Sequence, residues 1–153
     1  GVPHTSIWDF VISYLYYKSV GGTALCMVKK EMFVGPLGWV IRKMGGIPVD
    51  RSNSTTLIRS LIHEMNRVEY FHLAIAPEGT RKPIKHWKTG FHTIAKQTNC
   101  PVYLGYFDWK TKRIGRGEKV ELTDDAKADM ARIQNIYEEM KLTGKHPDRY
   151  ITH

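Results

Sequence analysis

The sequence predicts an α/β domain, a layered sheet flanked by helices, and three observations lead there. Apolar residues recur with helical spacing in some stretches and form short extended blocks in others, and the two kinds alternate along the chain. No internal repeat or low-complexity segment breaks the alternation. At 153 residues, 42% of them hydrophobic and 25% charged, the chain fits one compact domain over residues 1–153 with a substantial core. Folds of this kind carry their active-site loops at strand ends.

Ser6 to Ser19 reads as a largely apolar helix with Ser6 as its N-cap, and Thr23 to Val28 as a short buried strand. Pro36 to Met44 is a helix with Pro in its first turn, ended by Gly45-Gly46, after which Ile47 to Val49 is strand. Asn53 or Ser54 caps the next helix, whose Leu57, Leu61, Ile62 and Met65 share one face. Tyr70 to Ile75 is a strand and Ala76 to Lys88 a polar loop. Gly90 to Gln97 is helical, Pro101 to Asp108 a strand, and Lys110 to Leu122 a Gly-rich hairpin region. The last helix, Asp124 to Leu142, begins with acids and lines up Ala126, Met130, Ile133, Tyr137 and Met140.

The 23 Lys and Arg against 15 Asp and Glu leave a net charge of +8, which attracts nucleic acid, anionic lipid headgroups or a phosphorylated cofactor. Cys26 and Cys100 form no CxxC pattern and read as small buried residues, consistent with an intracellular, reducing setting. No stretch reaches the roughly 18 to 20 apolar residues that span a bilayer; Ile7 to Tyr17 is too short and holds Asp9. No basic leader with an apolar run and cleavage site is visible, so any spanning segment would lie upstream of Gly1. His63, His72, His86 and His92 have no metal-ligand spacing, and no metal is expected.

Three constellations could carry chemistry. The first pairs His4 and Asp9 across four residues. In a continuous helix these side chains would stand roughly 140° apart; they meet if His4 lies just before the helix and Asp9 in its first turn. A carboxylate on one imidazole nitrogen then leaves the other to accept a hydroxyl proton. Ser6-x-x-Asp9 also fits a capping box, which explains the same residues without catalysis. The second is Pro77-Glu78-Gly79-Thr80-Arg81 in a loop after a strand: Thr80 and nearby N–H groups can donate to an anion and Arg81 can hold a phosphate in bidentate fashion, while the same residues make an ordinary turn. In the third, Ile47-Pro48-Val49-Asp50-Arg51, Arg51 at a strand end is either a phosphate clamp or half of a surface ion pair. Lys29-Lys30-Glu31 adds basic groups after another strand end.

Taken in order, His-x4-Asp, Lys-Lys-Glu, Gly-x-Ile-x-Val-Asp-Arg, Pro-Glu-Gly-Thr-Arg and Trp87-Lys88-Thr89-Gly90 leading to Cys100-Pro101-Val102, the sequence resembles the glycerol-phosphate and lysophosphatidic-acid acyltransferase family over residues 4 to about 107. The resemblance implies a glycerolipid-acyltransferase-like fold and acyl transfer from acyl-CoA or acyl carrier protein to a lysophospholipid hydroxyl. His4 would be the general base and Asp9 its orienting partner. Arg51, Glu78, Gly79, Thr80 and Arg81 would bind the acceptor phosphate, with Lys30 a further contact. No bound cofactor is implied. A long-chain acceptor resides in the bilayer, so the domain is expected to sit peripherally on an anionic membrane surface at the cytoplasmic face. Val2-Pro3 before the histidine and Val102-Tyr103-Leu104-Gly105 after Pro101 depart from the family pattern and leave the substrate subclass open. A basic nucleic-acid-binding module and a non-catalytic lipid-binding domain are the alternatives; no nucleic-acid-binding motif is present, and no nucleic-acid partner is expected.

Overall fold

The computed structural model describes residues 1–22, 24–50, 54–67 and 71–153 and has a mixed α/β architecture. Helix α1 (Trp8–Ser19) leads into β1 (Leu25–Lys29), a single 3-10 turn at Lys30–Met32, α2 (Gly35–Lys43) and β2 (Gly46–Val49). Helix α3 (Ser54–Arg67) follows, then β3 (Leu73–Ala74), α4 (Gly90–Thr98), the hairpin β4 (Val102–Asp108) and β5 (Arg113–Val120), and α5 (Ala126–Met140). The alternation expected from periodicity is therefore present, with most boundaries displaced by one or two residues.

The strands fall into two sheets among the described residues, rather than one layered sheet. β2, β1 and β3 are parallel in that order, and β4 pairs with β5 antiparallel. The third strand is shorter than the Tyr70–Ile75 block suggests, pairing with β1 only at Leu73 and Ala74. The chain start links the sheets: Gly1 N donates to Ile75 O at 2.8 Å, while Val2 forms a parallel bridge to Tyr106 through Phe107 N–H to Val2 O at 2.9 Å.

Helix starts and ends follow local chemistry. Asp125 caps α5 by accepting the Ala128 N–H, and Asn99 and Lys141 close α4 and α5 in the left-handed region. Helix α1 begins at Trp8, two residues later than expected, because the Asp9 carboxylate holds the Thr5 and Ser6 N–H groups in a turn ahead of it. Gly45 adopts φ +92°, and a Cβ there would lie 2.5 Å from Ala24 O, so glycine is required where α2 turns into β2. Asn53, proposed as a cap for α3, lies outside the described residues.

The core sits between the hairpin and α5, where Val2, Trp87, Leu104, Val120, Met130, Ile133 and Tyr137 pack together. The Met130, Ile133 and Tyr137 stripe of α5 is buried as its spacing predicts, and Tyr137 OH donates to Gly105 O at 2.8 Å. Buried Asp129 joins α5 to α4 by bonding His92 Nε2 at 2.8 Å and also accepts from Thr123, so His92 is structural. Trp87 belongs to this core, whereas Trp39 is 64% exposed and lines neither core nor pocket.

Candidate active site

The three parallel strands end on one edge, and the loops that follow them carry Lys30, Asp50 and the Pro77–Arg81 segment. His4 is drawn to this edge by Glu78: the His4 backbone N–H donates to Glu78 Oε1 at 2.7 Å across 74 residues. The His4 Nδ1 faces Asp9 Oδ2 at 3.6 Å, longer than a hydrogen bond, with the imidazole 28% exposed and the carboxylate 2%. Catalytic hydrogen bonds are often this loose before substrate binds. Asp9 Oδ2 also accepts from Thr5 N at 2.9 Å and Ser6 N at 3.0 Å, and Ser6 Oγ accepts from Trp8 N at 3.2 Å. The capping arrangement and the His–Asp pairing are therefore two uses of one carboxylate. Burial alone would push the Asp9 carboxyl up, but the neighbouring His4 imidazole and the hydrogen bonds from Trp109, Ser6 and Thr5 hold it below the ordinary value. It is anionic at neutral pH, as orienting an imidazole requires.

Glu78 itself is 1% exposed. Expected as a phosphate contact, its carboxyl group instead holds the backbone of His4 by accepting that N–H. Burial pushes it up to about 8, against the His4 N–H bond that favours ionisation. A carboxyl raised this way binds its proton more tightly in the folded chain. Its stabilising contribution is complete below its ordinary value of 4.5 and is lost as pH rises through about 8. Between about pH 5 and 8 the stability of wild type relative to Glu78→Gln is accordingly expected to fall, by at most about 1.4 kcal/mol per pH unit. Urea unfolding of both proteins at the two pH values measures it, and a pH-independent difference would contradict it.

Gly79 takes φ +68°, and a Cβ there would stand 3.0 Å from Lys88 Cγ, so the loop needs glycine both for its backbone turn and for space. Thr80 and Arg81 line a cavity of about 1350 Å³ that also includes His4 and Asp9. The same cavity is lined by Tyr16, Tyr17, Met27, Met65, Ile94 and Leu104. Lys30 is exposed and paired with Asp50 at 3.0 Å. Arg51 lies outside the described residues. Among the described residues no group of three or more His, Cys, Asp or Glu side chains could hold a metal ion.

One participant was missed by sequence reasoning: Trp109 Nε1 donates to Asp9 Oδ1 at 2.8 Å across 100 residues. No spacing rule connects residues so far apart. Only its place immediately after the last residue of β4, at a strand end, marked it as near a loop edge.

This geometry defines a His–Asp pair on the wall of a large cavity, and comparison with known proteins gives its class. The Acyltransferase family model matches residues 2–104, more than half of the chain and inclusive of His4, Asp9 and Pro77–Arg81. The chain belongs to that family. It is also similar to a 1-acyl-sn-glycerol-3-phosphate acyltransferase of Streptococcus pneumoniae (strain ATCC BAA-255 / R6), 28% identical over 142 residues, covering 90% of this chain and 52% of the relative. The chain thus spans about half the length of that curated relative. No solved structure matches it.

Proposed function

We propose that the domain transfers a fatty acyl group from acyl-CoA or acyl carrier protein to the free hydroxyl of 1-acylglycerol 3-phosphate or a similar lysolipid, in phospholipid biosynthesis. The observation that carries this reading is the imidazole of His4, faced by Asp9, on the wall of a cavity that Thr80 and Arg81 share with Tyr16, Tyr17, Met27, Ile94 and Leu104. With Nδ1 turned to Asp9, Nε2 accepts the acceptor's hydroxyl proton as its oxygen attacks the thioester carbonyl. The new C–O bond forms, the C–S bond breaks, and the imidazolium returns its proton to the leaving thiolate. The acceptor hydroxyl is the nucleophile, so no covalent acyl-enzyme and no bound cofactor are required. Arg81, Thr80 and Arg51 supply cationic and donor groups suited to the acceptor phosphate. The printed activity of the Streptococcus relative favours a lysophosphatidate acceptor. Incubating the protein with labelled acyl-CoA and 1-acylglycerol 3-phosphate and separating the products tests it: label in a diacylglycerol phosphate is expected, and label only in free fatty acid would replace the reading with thioester hydrolysis.

A lipid acceptor requires contact with a bilayer, and the surface supports one. Among the described residues every exposed large apolar side chain except Tyr103 falls between Ile7 and Val40, on α1, α2 and the segments beside them. Trp8 and Leu37 stand near the starts of helices that begin at the site edge, Trp39 lies beneath the Lys43 ammonium at 5.2 Å, and Phe33 beneath the Arg42 guanidinium at 4.9 Å. The exposed Leu37, Trp39 and Val40 of α2, together with Lys43, make a face suited to a peripheral site on anionic lipid. No described helix is long and apolar enough to cross a membrane. Sedimentation with phosphatidylglycerol vesicles is expected at low salt, weakened by salt and reduced in Leu37→Ser/Trp39→Ser; unchanged sedimentation in that variant would remove this face from the reading.

A further inference from the structure

We propose that the C-terminal segment is a clamp on the His4–Asp9 turn, in which Trp109 is a positioning residue that fixes the rotation of the Asp9 carboxylate. The proposal rests on the catalytic reading of His4 and Asp9 given above. It involves residues beyond 104, where the family match ends.

The two carboxylate oxygens of Asp9 have different tasks. Oδ2 faces His4 Nδ1 and receives the Thr5 and Ser6 N–H groups, whereas Oδ1 receives the indole N–H of Trp109. A cap on the start of α1 uses only the first set. The bond to Oδ1 sets the plane of the carboxylate, and with it the direction in which Oδ2 meets the imidazole. Trp109 is in turn held from the C-terminal side. Its backbone N–H donates to Thr143 O at 2.8 Å, Thr143 N donates to Asp108 Oδ1 at 3.3 Å, and the Lys145 ammonium lies 4.6 Å from the centre of the indole ring.

The same segment grips Thr5, the fully buried residue between the base and its partner. The His146 N–H donates to Thr5 Oγ1 at 3.1 Å, and Arg149 reaches Thr5 O at 3.4 Å, a weaker contact. Gly144 packs so closely that a Cβ there would lie 2.9 Å from Thr5 Oγ1. Thr5 is thus tied to Asp9 through its N–H and to the C-terminal segment through both its oxygens. The turn that presents His4 is held by Glu78 on one side and by residues 109–149 on the other.

The test is a mutant cycle in the acyl-transfer assay. Trp109→Phe deletes the indole N–H and keeps a ring beneath Lys145. It is expected to lower kcat about tenfold, the effect of losing one hydrogen bond to a charged group, with both KM values and the far-ultraviolet circular dichroism unchanged. Because Trp109 acts through Asp9, the same change made in Asp9→Ala is expected to cost nothing further; independent losses would multiply. Gly144→Ala, which pushes on Thr5 without touching the indole, is expected to lower kcat in the same way and carries the test if Trp109→Phe fails to fold. Wild-type kcat in both variants, or losses that multiply with Asp9→Ala, would overturn the clamp while leaving the His–Asp reading intact. Full turnover in Asp9→Ala alone would overturn both.

Discussion

His4→Ala is expected to lower kcat by about 10²- to 10⁴-fold, the usual contribution of a positioned general base, with acceptor and thioester KM nearly unchanged. The structure makes the variant clean. The hydrogen bond from the His4 backbone N–H to Glu78 is retained by alanine, and the imidazole, 28% exposed, meets Asp9 only at 3.6 Å. Stability should therefore stay close to wild type, so that lost turnover reports on the proton transfer. A rise in acceptor KM with little change in kcat would instead make His4 a binding group.

Asp9→Asn should have the second largest effect. The amide is isosteric but neutral, and it can present only one oxygen where the carboxylate presents two. Three N–H groups, those of Thr5, Ser6 and Trp109, converge on Asp9. Whichever way the amide is turned, its NH₂ faces at least one of these donors, leaving an unpaired group in a buried site. The imidazole loses the anion that stabilises its protonated form, and its tautomer is no longer held. A loss of about 10²- to 10⁴-fold in kcat is expected, together with a lower unfolding midpoint that separates Asp9→Asn from His4→Ala. Steady-state kinetics beside thermal denaturation measure both. Loss of stability without loss of turnover in the folded fraction would reduce Asp9 to a helix cap.

Where local chemistry determines structure, the sequence was readable. Pro36 in the first turn of α2, Gly45 at its end and the Met130–Ile133–Tyr137 stripe each act through neighbours a few residues away, and each is where its spacing places it, whereas Asp125, expected inside the first turn of α5, caps it instead. His4 and Asp9 were legible for the same reason, since the turn between them is local. Glu78 was legible as part of a motif but not in its contact, because a bond to a backbone N–H 74 residues away leaves no pattern in residue types. Trp109, 100 residues from Asp9, was not legible at all. The partition of the strands into two sheets, with Val2 bridging to Tyr106, also depends on pairing between distant segments, and alternation of elements does not encode it.

The measurement that tests the central claim most directly is thiol release from acyl-CoA, followed with and without 1-acylglycerol 3-phosphate in wild type and His4→Ala side by side. Release that requires the acceptor in wild type and falls by at least about 10²-fold in His4→Ala is the predicted result. Release at equal rates with and without acceptor, or equal rates in the two proteins, would contradict it.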